Sequence, residues 1–562
     1  MTPPARRTGG RLADVSAGAA IVAVVLWIGL PGISTAGLGW SDAPLHTLDG
    51  VFIRDFVRER PLAHPRAWAE RFYLRHPAIG LVVYYPPGFA AVEAVAFALF
   101  GVSVAVARAT VMVFAAGGAW MLYLLGRRRL GRAGGAAAAL LLLTCPHGVL
   151  WMRDVMLEWP ATFWILAAVW AYAHDRAEPR RRWAVLTAVA VAGAFFTKQT
   201  AGFIAPVLLV HALIVPGRRA YFGRAVLLGG AVLAGGLIAV YLVVAAHYAA
   251  LPGRLLRVDP DFWYYIGHFP ETLGWPLIPL AAAGFWVLRG RMERSAFMLP
   301  VLVVAAWYVF SSMIAAKEPR YFFFALPVLA LAAAGCLVGF VGAGGTPAGS
   351  RGHRVWRYAA CLVLIGVQAY LTPIARSGTL PRYAAAVTEL VGRPDADLVL
   401  VDGVRDGQFV LDAYVNHAAR DRIIPIRASK LLYARAARAK YGYRAFVDDE
   451  ADIVDLLDRY GIRYVVIESE LPSTNYRDAD PPPRRMLRRL LARDPRFVLV
   501  DSWPLRCGDR AWDAVELRLY AYPGCPARQS DSIRFAMPSM GRTLSLRLPR
   551  RAGAGHESKA AR

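Results

Sequence analysis

Long apolar runs separated by short basic segments dominate the first 376 residues. A helix that spans a bilayer needs roughly 20 mostly apolar residues, so each run is a candidate span. The candidates are 15–36, 80–100, 103–125, 134–151, 160–174, 183–200, 201–216, 225–249, 273–288, 296–315, 321–343 and 356–375. We interpret the first run as a retained helix rather than a signal peptide. The pattern predicts a polytopic α-helical membrane protein.

The run 80–100 is predicted to lie at the outer membrane surface rather than to cross the bilayer. Three or four basic residues occur in each of the segments 6–11, 127–132, 176–182, 218–224, 289–294 and 351–357. All six segments fall on the cytoplasmic side only if 80–100 does not cross. Pro86 and Pro87 also interrupt a helix where this run begins. We therefore expect about eleven crossings in the plasma (inner) membrane and a long first outer loop over 37–102.

Residues 377–530 have the pattern of a soluble α/β domain, which the same counting places on the extracytoplasmic side. Short apolar runs predict buried strands at 397–402, 463–468 and 496–501, and helical patterns occur at 429–441 and 450–460. We expect residues 531–562 to form a poorly ordered basic tail. We therefore divide the chain into a transmembrane domain (1–376), a soluble α/β domain (377–530) and a tail (531–562).

Composition and charge exclude several classes of protein. A hydrophobic fraction of 57% is too high for a disordered chain. The net charge of +25 is concentrated in the first 376 residues beside the apolar runs, so we attribute it to membrane orientation and expect no nucleic-acid partner. Five scattered cysteines without a CxxC pair exclude a disulfide scaffold and a cysteine zinc site. No nucleotide-binding glycine motif occurs.

The charged residues of the membrane half concentrate on the predicted outer face. Its only lysines, Lys198 and Lys317, both fall at outer helix ends. Ionisable groups beside hydrocarbon are expensive and tend to be functional. Twelve of the sixteen acids are predicted to be outer: Asp42, Asp49, Asp55, Glu59, Glu70, Glu93, Asp154, Glu158, Asp259, Asp261, Glu271 and Glu318. A transporter would instead place charges near the bilayer midplane.

Several of these carboxylates also have structural interpretations. Asp49, Asp55 and Glu59 could form the solvated face of an amphipathic surface helix. Asp154 and Glu158 are four residues apart, which predicts that they share one helical face. Whether these carboxylates are structural or functional, all of them are predicted to lie on the outer side.

Three other residues have structural alternatives to a functional role. Lys198 could extend its ammonium to the headgroups along an apolar surface. We expect Cys145 and His147, which lie near a helix end, to serve packing rather than ligand binding.

A series of motifs runs in order along residues 15–376. They are Gly39-Trp40-Ser41-Asp42-Ala43-Pro44, Tyr85-Pro86-Pro87-Gly88, Val106-Ala107-Arg108, the segment 153–160, Thr197-Lys198-Gln199-Thr200-Ala201-Gly202, and Arg320-Tyr321 before Leu326-Pro327. In this order they resemble the C-type glycosyltransferase (GT-C) superfamily, in particular bacterial protein O-mannosyltransferases and lipid A aminoarabinose transferases. The chain departs from them at Ala43, where the family has Glu, and at Tyr85, where close relatives have Lys.

The resemblance implies a GT-C-like enzyme that moves a hexosyl or pentosyl unit from a polyprenyl-phosphate donor. The acceptor would be a hydroxyl group of a lipid, glycan or protein on the extracytoplasmic side, and Asp42 would act as an inverting base. The implied ligands of the donor phosphate are Lys198, Arg320, Lys317 and Arg108. Those of the acceptor or a metal are Asp154, Glu158, Asp49 and Tyr85. The resemblance leaves undecided whether a divalent ion, Mg²⁺ or Mn²⁺, serves as a cofactor, because Ala43 replaces the second acid of the family's acidic pair.

Two other function classes remain. One is a polytopic transporter or flippase, and the other is a surface-glycan ligase or polymerase with a different donor. Release of polyprenyl phosphate from a labelled polyprenyl-phosphate sugar would distinguish the first interpretation from both.

Overall fold

The computed structural model divides the chain into two compact units. The first comprises Met1–Asp55, Gly80–Val244 and Leu256–Thr379, and the second Phe56–Ile79, Ala245–Leu255 and Leu380–Arg562. The residues described are 8–34, 37–80, 85–177, 180–215, 236, 239, 258–315, 317–342, 351–372, 382–435, 443–470, 480–505, 514–537 and 542–549. The run 225–249 thus lies outside them, apart from two residues.

Helices build the first unit, and their bounds follow the apolar runs. In chain order they are α1 (Thr8–Gly29), α2 (Ala43–Glu59, which ends in the second unit), α3 (Pro65–Arg75, in the second unit), α4 (Gly88–Phe100), α5 (Val104–Thr144), α6 (Pro146–Met152), α7 (Glu158–Ala177), α8 (Arg181–Thr197) and α9 (Ile204–Ile214). They continue with α10 (Tyr264–Gly267), α11 (Phe269–Thr272), α12 (Leu277–Arg291), α13 (Arg294–Met313), α14 (Leu326–Gly342) and α15 (Arg351–Leu371). The 3₁₀ segments Gln199–Phe203 and Pro319–Ala325 precede α9 and α14.

Four helical segments of the described residues are long and apolar enough to cross a membrane. They are Arg11–Gly29, Val104–Thr144, Arg294–Met313 and Pro319–Phe340. The total of about eleven crossings stays a prediction. Helix α4 has 13 residues and is therefore about 20 Å long, less than the roughly 30 Å of a hydrocarbon core. This length is compatible with the predicted position at the surface.

The chain reverses direction within α5, at the predicted basic loop 127–132. Gly131 has φ 75° and ψ 176°, a conformation that favours glycine. If the helix were continuous, the twelve residues from Tyr123 to Gly135 would span about 18 Å. Instead, a Cβ atom placed on Gly135 would lie 2.6 Å from the carbonyl oxygen of Tyr123. The segments on either side of Gly131 therefore pack against each other.

The predicted run 134–151 is not one helix, and this expectation is wrong. Helix α5 ends at Thr144, Cys145 is extended, and Pro146 begins α6. Proline lacks the N–H that would continue a helix, but it suits a first turn. The break matters because α6 contributes to the site described below.

The second unit contains a five-stranded mixed sheet with the order β2-β1-β5-β7-β6, in which β1 pairs parallel with β2 and β5. Strands β5, β7 and β6 pair antiparallel in turn. The strands are β1 (Leu398–Asp402), β2 (Ile424–Arg427), β3 (Tyr433–Arg435), β4 (Tyr443–Ala445), β5 (Tyr464–Glu468), β6 (Val498–Pro504), β7 (Glu516–Ala521), β8 (Ser532–Met537) and β9 (Arg542–Arg547). The three predicted strands are present as β1, β5 and β6.

The helices of the second unit are α16 (Arg382–Val391), α17 (Asp406–Val415), α18 (His417–Arg420), α19 (Ala428–Leu431), α20 (Glu450–Tyr460) and α21 (Pro482–Arg493). Helix α20 has the predicted bounds 450–460. The predicted helix 429–441 is wrong, because α19 ends at Leu431 and β3 follows; residues 436–442 lie outside the described part.

The segment expected to be a disordered tail forms a hairpin instead. Strands β8 and β9 pair antiparallel over six residues each. Ile533, Phe535, Leu544 and Leu546 are buried in the core of the second unit, and this burial compensates for the entropy of ordering the chain. The prediction for 531–562 is therefore wrong over 532–537 and 542–547, and residues 538–541 and 550–562 lie outside the described part.

Part of the first outer loop belongs to the core of the second unit. Leu74 of α3 is buried in the same hydrophobic cluster as β1 and β2. Arg427 donates to the carbonyl of Pro77 at 3.0 Å, and Arg75 donates to that of Asp421 at 3.3 Å. Residues 65–77 and the C-terminal sheet therefore share one core, and their position relative to the membrane stays a prediction.

Candidate active site

Asp42 lies directly before the first residue of α2 and is the centre of a polar cluster in the first unit. Its backbone carbonyl accepts from the N–H of His46 at 3.0 Å. Its Oδ2 accepts two hydrogen bonds, from the Tyr85 hydroxyl at 3.1 Å and from Nη2 of Arg320 at 3.0 Å. The structure thus brings together three of the predicted site residues, which lie far apart in the sequence.

Arg320 links Asp42 to a second carboxylate. It lies in the 3₁₀ segment before α14, and its side chain is 8% exposed. Its Nε lies 2.6 Å from Oε2 of Glu318. Its Cζ is 5.2 Å from the ring centre of Trp40 and 5.4 Å from that of Tyr321, which is cation–π geometry. The guanidinium is therefore fixed from several directions, and two carboxylates share its charge.

The electrostatics of the cluster define the protonation state of each group. Burial alone would raise the pKa of Asp42, but the charge and hydrogen bond of Arg320 hold it below its ordinary value. Burial and the neighbouring Asp42 raise the pKa of Tyr85, so its phenol stays a donor. Burial lowers the pKa of His46 to about 4. At neutral pH, Asp42 is charged and His46 is neutral.

Lys198 lies beside this cluster in a buried ion pair. It follows the last residue of α8, and its Nζ donates to Oε1 of Glu158 at 2.7 Å. Glu158 begins α7 and is fully buried. The Lys198 ammonium lies 5.8 Å from the ring centre of Tyr321, so this ring is near both Lys198 and Arg320. The pairing contradicts the interpretation that Lys198 simply extends to the headgroups.

Asp154 holds the loop that carries Asp42. It accepts from the backbone N–H of Trp40 at 2.7 Å and from that of Val155 at 3.0 Å. Because α6 ends at Met152, Asp154 lies in the turn before α7. The prediction that Asp154 and Glu158 share a helical face is therefore wrong, since no helix joins them.

Two of the predicted phosphate ligands have backbone partners. Arg108 on α5 donates to the carbonyls of Gly32, Ile33 and Gly37 at 3.1, 3.1 and 2.8 Å. Lys317 donates to the carbonyls of Asp259 and Ile314. These contacts fix the chain that leads to Asp42 and the chain that leads to Arg320.

Two of the three acidic residues of α2 do not belong to a solvated face, whereas Glu59 is exposed. Asp49 is buried, and its Oδ1 accepts from the N–H of Gly80 at 2.9 Å. Asp55 is buried beside Arg54. The alternative of a solvated face is wrong for both residues, since each has a polar partner inside the protein.

The residues around Asp42 do not fit a divalent cation. Among the described residues, no group of three or more His, Cys, Asp or Glu side chains could hold a metal ion. A hard cation requires several oxygen ligands, whereas Asp42 here accepts from Arg320 and Tyr85.

Sequence reasoning gave no site role to three residues of the cluster: Trp40, which it placed in a motif, Glu318, which it placed on the outer face, and His46. Trp40 and Glu318 lie within two residues of the predicted residues Asp42 and Arg320, so proximity to a motif was the available signal. Nothing in the sequence marks His46, whose ring lies 4.4 Å from that of Tyr85.

Comparisons with known proteins give one family match and several structural matches. Residues 85–246 match the family model of dolichyl-phosphate-mannose-protein mannosyltransferase. No curated protein sequence matches the chain. Two structures of ArnT from Cupriavidus metallidurans align with TM-scores of 0.56. The apo form has 15% identity and covers 91% of this chain and 99% of that chain. The form bound to undecaprenyl phosphate has 16% identity and covers 93% and 100%.

A third match is the archaeal oligosaccharyltransferase AglB from Archaeoglobus fulgidus, in complex with an inhibitory peptide and a dolichol-phosphate. It aligns with a TM-score of 0.55 and 13% identity, covering 81% of this chain and 69% of that chain. The arabinofuranosyltransferase AftD from Mycobacteria aligns with a TM-score of 0.50 and 15% identity, covering 93% and 40%.

Proposed function

Since this chain has the fold of the C-type glycosyltransferases, as its motifs predicted, we propose that it transfers a sugar from a polyprenyl-phosphate carrier to an acceptor hydroxyl. The observation that carries the proposal is the polar cluster in which Asp42 pairs with Arg320 beside Lys198. One ionised carboxylate and two cations are the groups that this reaction needs, since a proton must leave the acceptor and a phosphate must leave the donor.

Asp42 is the proposed base. Tyr85 and Arg320 both donate to Oδ2, so they orient the carboxylate and leave Oδ1 to accept the proton of the acceptor hydroxyl. The hydroxyl oxygen forms a bond to the anomeric carbon while the bond from that carbon to the phosphate oxygen breaks. The polyprenyl phosphate leaves with the electron pair, and a single displacement of this kind inverts the anomeric centre.

Lys198 and Arg320 are the proposed ligands of the leaving phosphate. Both are positioned beside Tyr321, and both are charge-paired before any donor arrives. A phosphate would add charge-assisted hydrogen bonds to these cations. When Asp42 takes the proton, Glu318 remains as a counter-ion for Arg320. We assign Arg108 and Lys317 to fixing the backbone around the site.

The proposed reaction takes place on the extracytoplasmic side of the inner membrane. The donor carries a hexosyl or pentosyl unit, and the acceptor is a hydroxyl of a lipid, glycan or protein. Asp154, Asp49 and Glu158 support the site through Trp40, Gly80 and Lys198 respectively.

The experiment that tests the proposal measures polyprenyl phosphate released by the purified, detergent-solubilised protein. Labelled polyprenyl-phosphate hexoses and pentoses serve as donors, and a nucleotide sugar serves as the negative control. We expect release from at least one lipid-linked donor and none from the nucleotide sugar. If no donor is consumed while reconstituted vesicles move a lipid-linked sugar between leaflets, the protein is a flippase and the proposal is wrong.

A further inference from the structure

Asp42 and two residues of α2 share one helical face. Asp42, His46 and Asp49 are separated by four and three positions, which places them one above another on a helix. The hydrogen bond from the N–H of His46 to the carbonyl of Asp42 extends the helical geometry back to Asp42. One helix therefore aligns the proposed base with two further side chains, both of which are buried.

Tyr85 contacts this face with its hydroxyl, its ring and its backbone. The hydroxyl donates to Oδ2 of Asp42 at 3.1 Å, and the ring meets the His46 ring edge to face at 4.4 Å between centres. The backbone N–H of Tyr85 donates to the carbonyl of Gly80 at 3.2 Å. The N–H of Gly80 in turn donates to Oδ1 of Asp49 at 2.9 Å. All three parts of Tyr85 are thus tied, directly or through Gly80, to the same helical face.

The Tyr85 ring has little freedom to move. A Cβ atom placed on Gly80 would lie 3.0 Å from Cδ2 of this ring, which is shorter than the roughly 3.5–4.0 Å of an optimal contact between carbon atoms. A larger residue at this position would therefore push the ring. His46, which is only 3% exposed, restricts the ring as well. These contacts keep the hydroxyl of Tyr85 on Asp42.

The His46 side chain suits this place because it carries no charge. The charged groups around it are Asp42, Glu158, Lys198 and Arg320. Burial lowers the pKa of His46 to about 4, so its ring is neutral at pH 7. A cationic residue here would compete with Arg320 for the carboxylate of Asp42, whereas a neutral ring packs beside it without disturbing that pair.

We propose that His46 is a positioning residue of the transferase: its ring holds Tyr85 so that the phenol hydroxyl keeps the carboxylate of Asp42 oriented toward the acceptor. The inference rests on the proposed function and adds a residue that acts on the base only through Tyr85. Asp49 supports the same arrangement from the backbone, through Gly80.

The test is a double-mutant cycle on polyprenyl phosphate release by the purified protein. A misplaced catalytic group costs up to about 10²-fold in rate, but Asp42 without the hydrogen bond is also a stronger base, which offsets part of this cost. We therefore expect Tyr85→Phe and His46→Ala each to lower kcat about tenfold, with the donor KM changed less than about twofold. The double variant should be no slower than either single variant, because both changes remove the same hydrogen bond.

Two further variants separate the ring contact from other roles of His46. His46→Phe keeps an aromatic ring without nitrogens and should recover most of the kcat that His46→Ala loses. Gly80→Ala displaces the ring of Tyr85 without changing His46, and it should lower kcat in the wild type but not in a protein that already carries Tyr85→Phe. Multiplying losses in the double variant, an inactive His46→Phe, or an equal effect of Gly80→Ala in both backgrounds would overturn the inference.

Thr47→Ala is the matched control for a loss of packing in α2. Thr47 is fully buried beside His46 in the chain, and its hydroxyl donates to the carbonyl of Ala43 at 3.0 Å. Its truncation should lower the midpoint of thermal unfolding and leave kcat within about twofold of the wild type. A tenfold fall of kcat in Thr47→Ala would show that kcat reports the packing of α2, and it would overturn the inference.

The inference and the proposed function fail in different ways. If the wild type consumes no lipid-linked donor, the function is wrong, and the same cycle measured by thermal unfolding still tests the contact. The losses of midpoint in Tyr85→Phe and His46→Ala should overlap in the double variant, because loss of the ring contact already frees the hydroxyl. Additive losses of midpoint and multiplying losses of kcat, in a protein that consumes the donor, would overturn the inference alone.

Discussion

The change Asp42→Asn tests the proposed base most directly, because the structure predicts that it removes the base and keeps the site. Tyr85 and Arg320 both donate to Oδ2. An asparagine with its carbonyl oxygen in that position accepts both hydrogen bonds, and its NH₂ group replaces only Oδ1. Arg320 keeps Glu318 as a counter-ion, so no buried charge loses its last partner.

The expected loss follows from the role of the carboxylate. General base catalysis contributes about 10²–10⁴-fold, which corresponds to roughly 3–5.5 kcal/mol of barrier at about 1.36 kcal/mol per factor of ten. We expect kcat for polyprenyl phosphate release to fall by that factor, with the donor KM and the thermal midpoint nearly unchanged. Asp49→Asn is the control and should be milder, since Asp49 binds the backbone of Gly80.

The pH dependence follows from the same carboxylate. Because Arg320 holds the pKa of Asp42 below its ordinary value, Asp42 stays ionised as the pH falls from 7 to 5, and activity should show no acid limb from this group there. Activity of Asp42→Asn above one tenth of wild type, or a wild-type acid limb near pH 6 that Asp42→Asn abolishes, would refute this reasoning.

Three further predictions concern the donor site, the second unit and the topology. Lys198→Ala should weaken donor binding by roughly 1.5–3 kcal/mol, which is measured as a higher donor KM. Adding Glu158→Gln should restore the thermal midpoint but not the donor KM. An unchanged donor KM in Lys198→Ala would contradict a role of Lys198 in donor binding. Arg484→Met should destabilise the second unit by about 3–5 kcal/mol, because Asp402 pairs with Arg484 at 2.7 Å and both side chains are fully buried. Adding Asp402→Asn should recover part of this loss, measured by thermal unfolding of the full chain. Additive losses of stability would contradict the pairing. Reporter fusions should give an inside signal after Arg132 and an outside signal after Arg376; the opposite result at either position would contradict the topology.

The sequence predicted those parts of the site that depend on local motifs. Asp42 and Arg320 could be found because each occurs in a short motif at a helix end. Their pairing could not be predicted, since 278 positions separate them and no local pattern encodes the contact. The pair of Lys198 with Glu158 was missed for the same reason: each lies at the end of a different helix.

The cavity that Arg320 lines was harder to predict than the hairpin. His147 and Trp151 line it together with Glu271 and Glu318 only because Pro146 ends one helix and begins another. The hairpin 532–547 does carry a strand signal, because Ile533, Phe535, Leu544 and Leu546 alternate with polar residues. This alternation was overlooked because the many arginines of the segment 531–562 suggested a poorly ordered basic tail.

The burial of Leu74 in the second unit has a consequence for how the protein is made. Leu398 of β1 follows Leu74 by 324 residues, and at roughly 5–20 residues per second a ribosome needs about 16–65 s to supply it. Throughout that interval α3 has already been synthesised but lacks the strands that cover it. A transcript truncated before β1 would therefore leave α3 exposed to proteases and chaperones, even if every preceding membrane helix had inserted correctly.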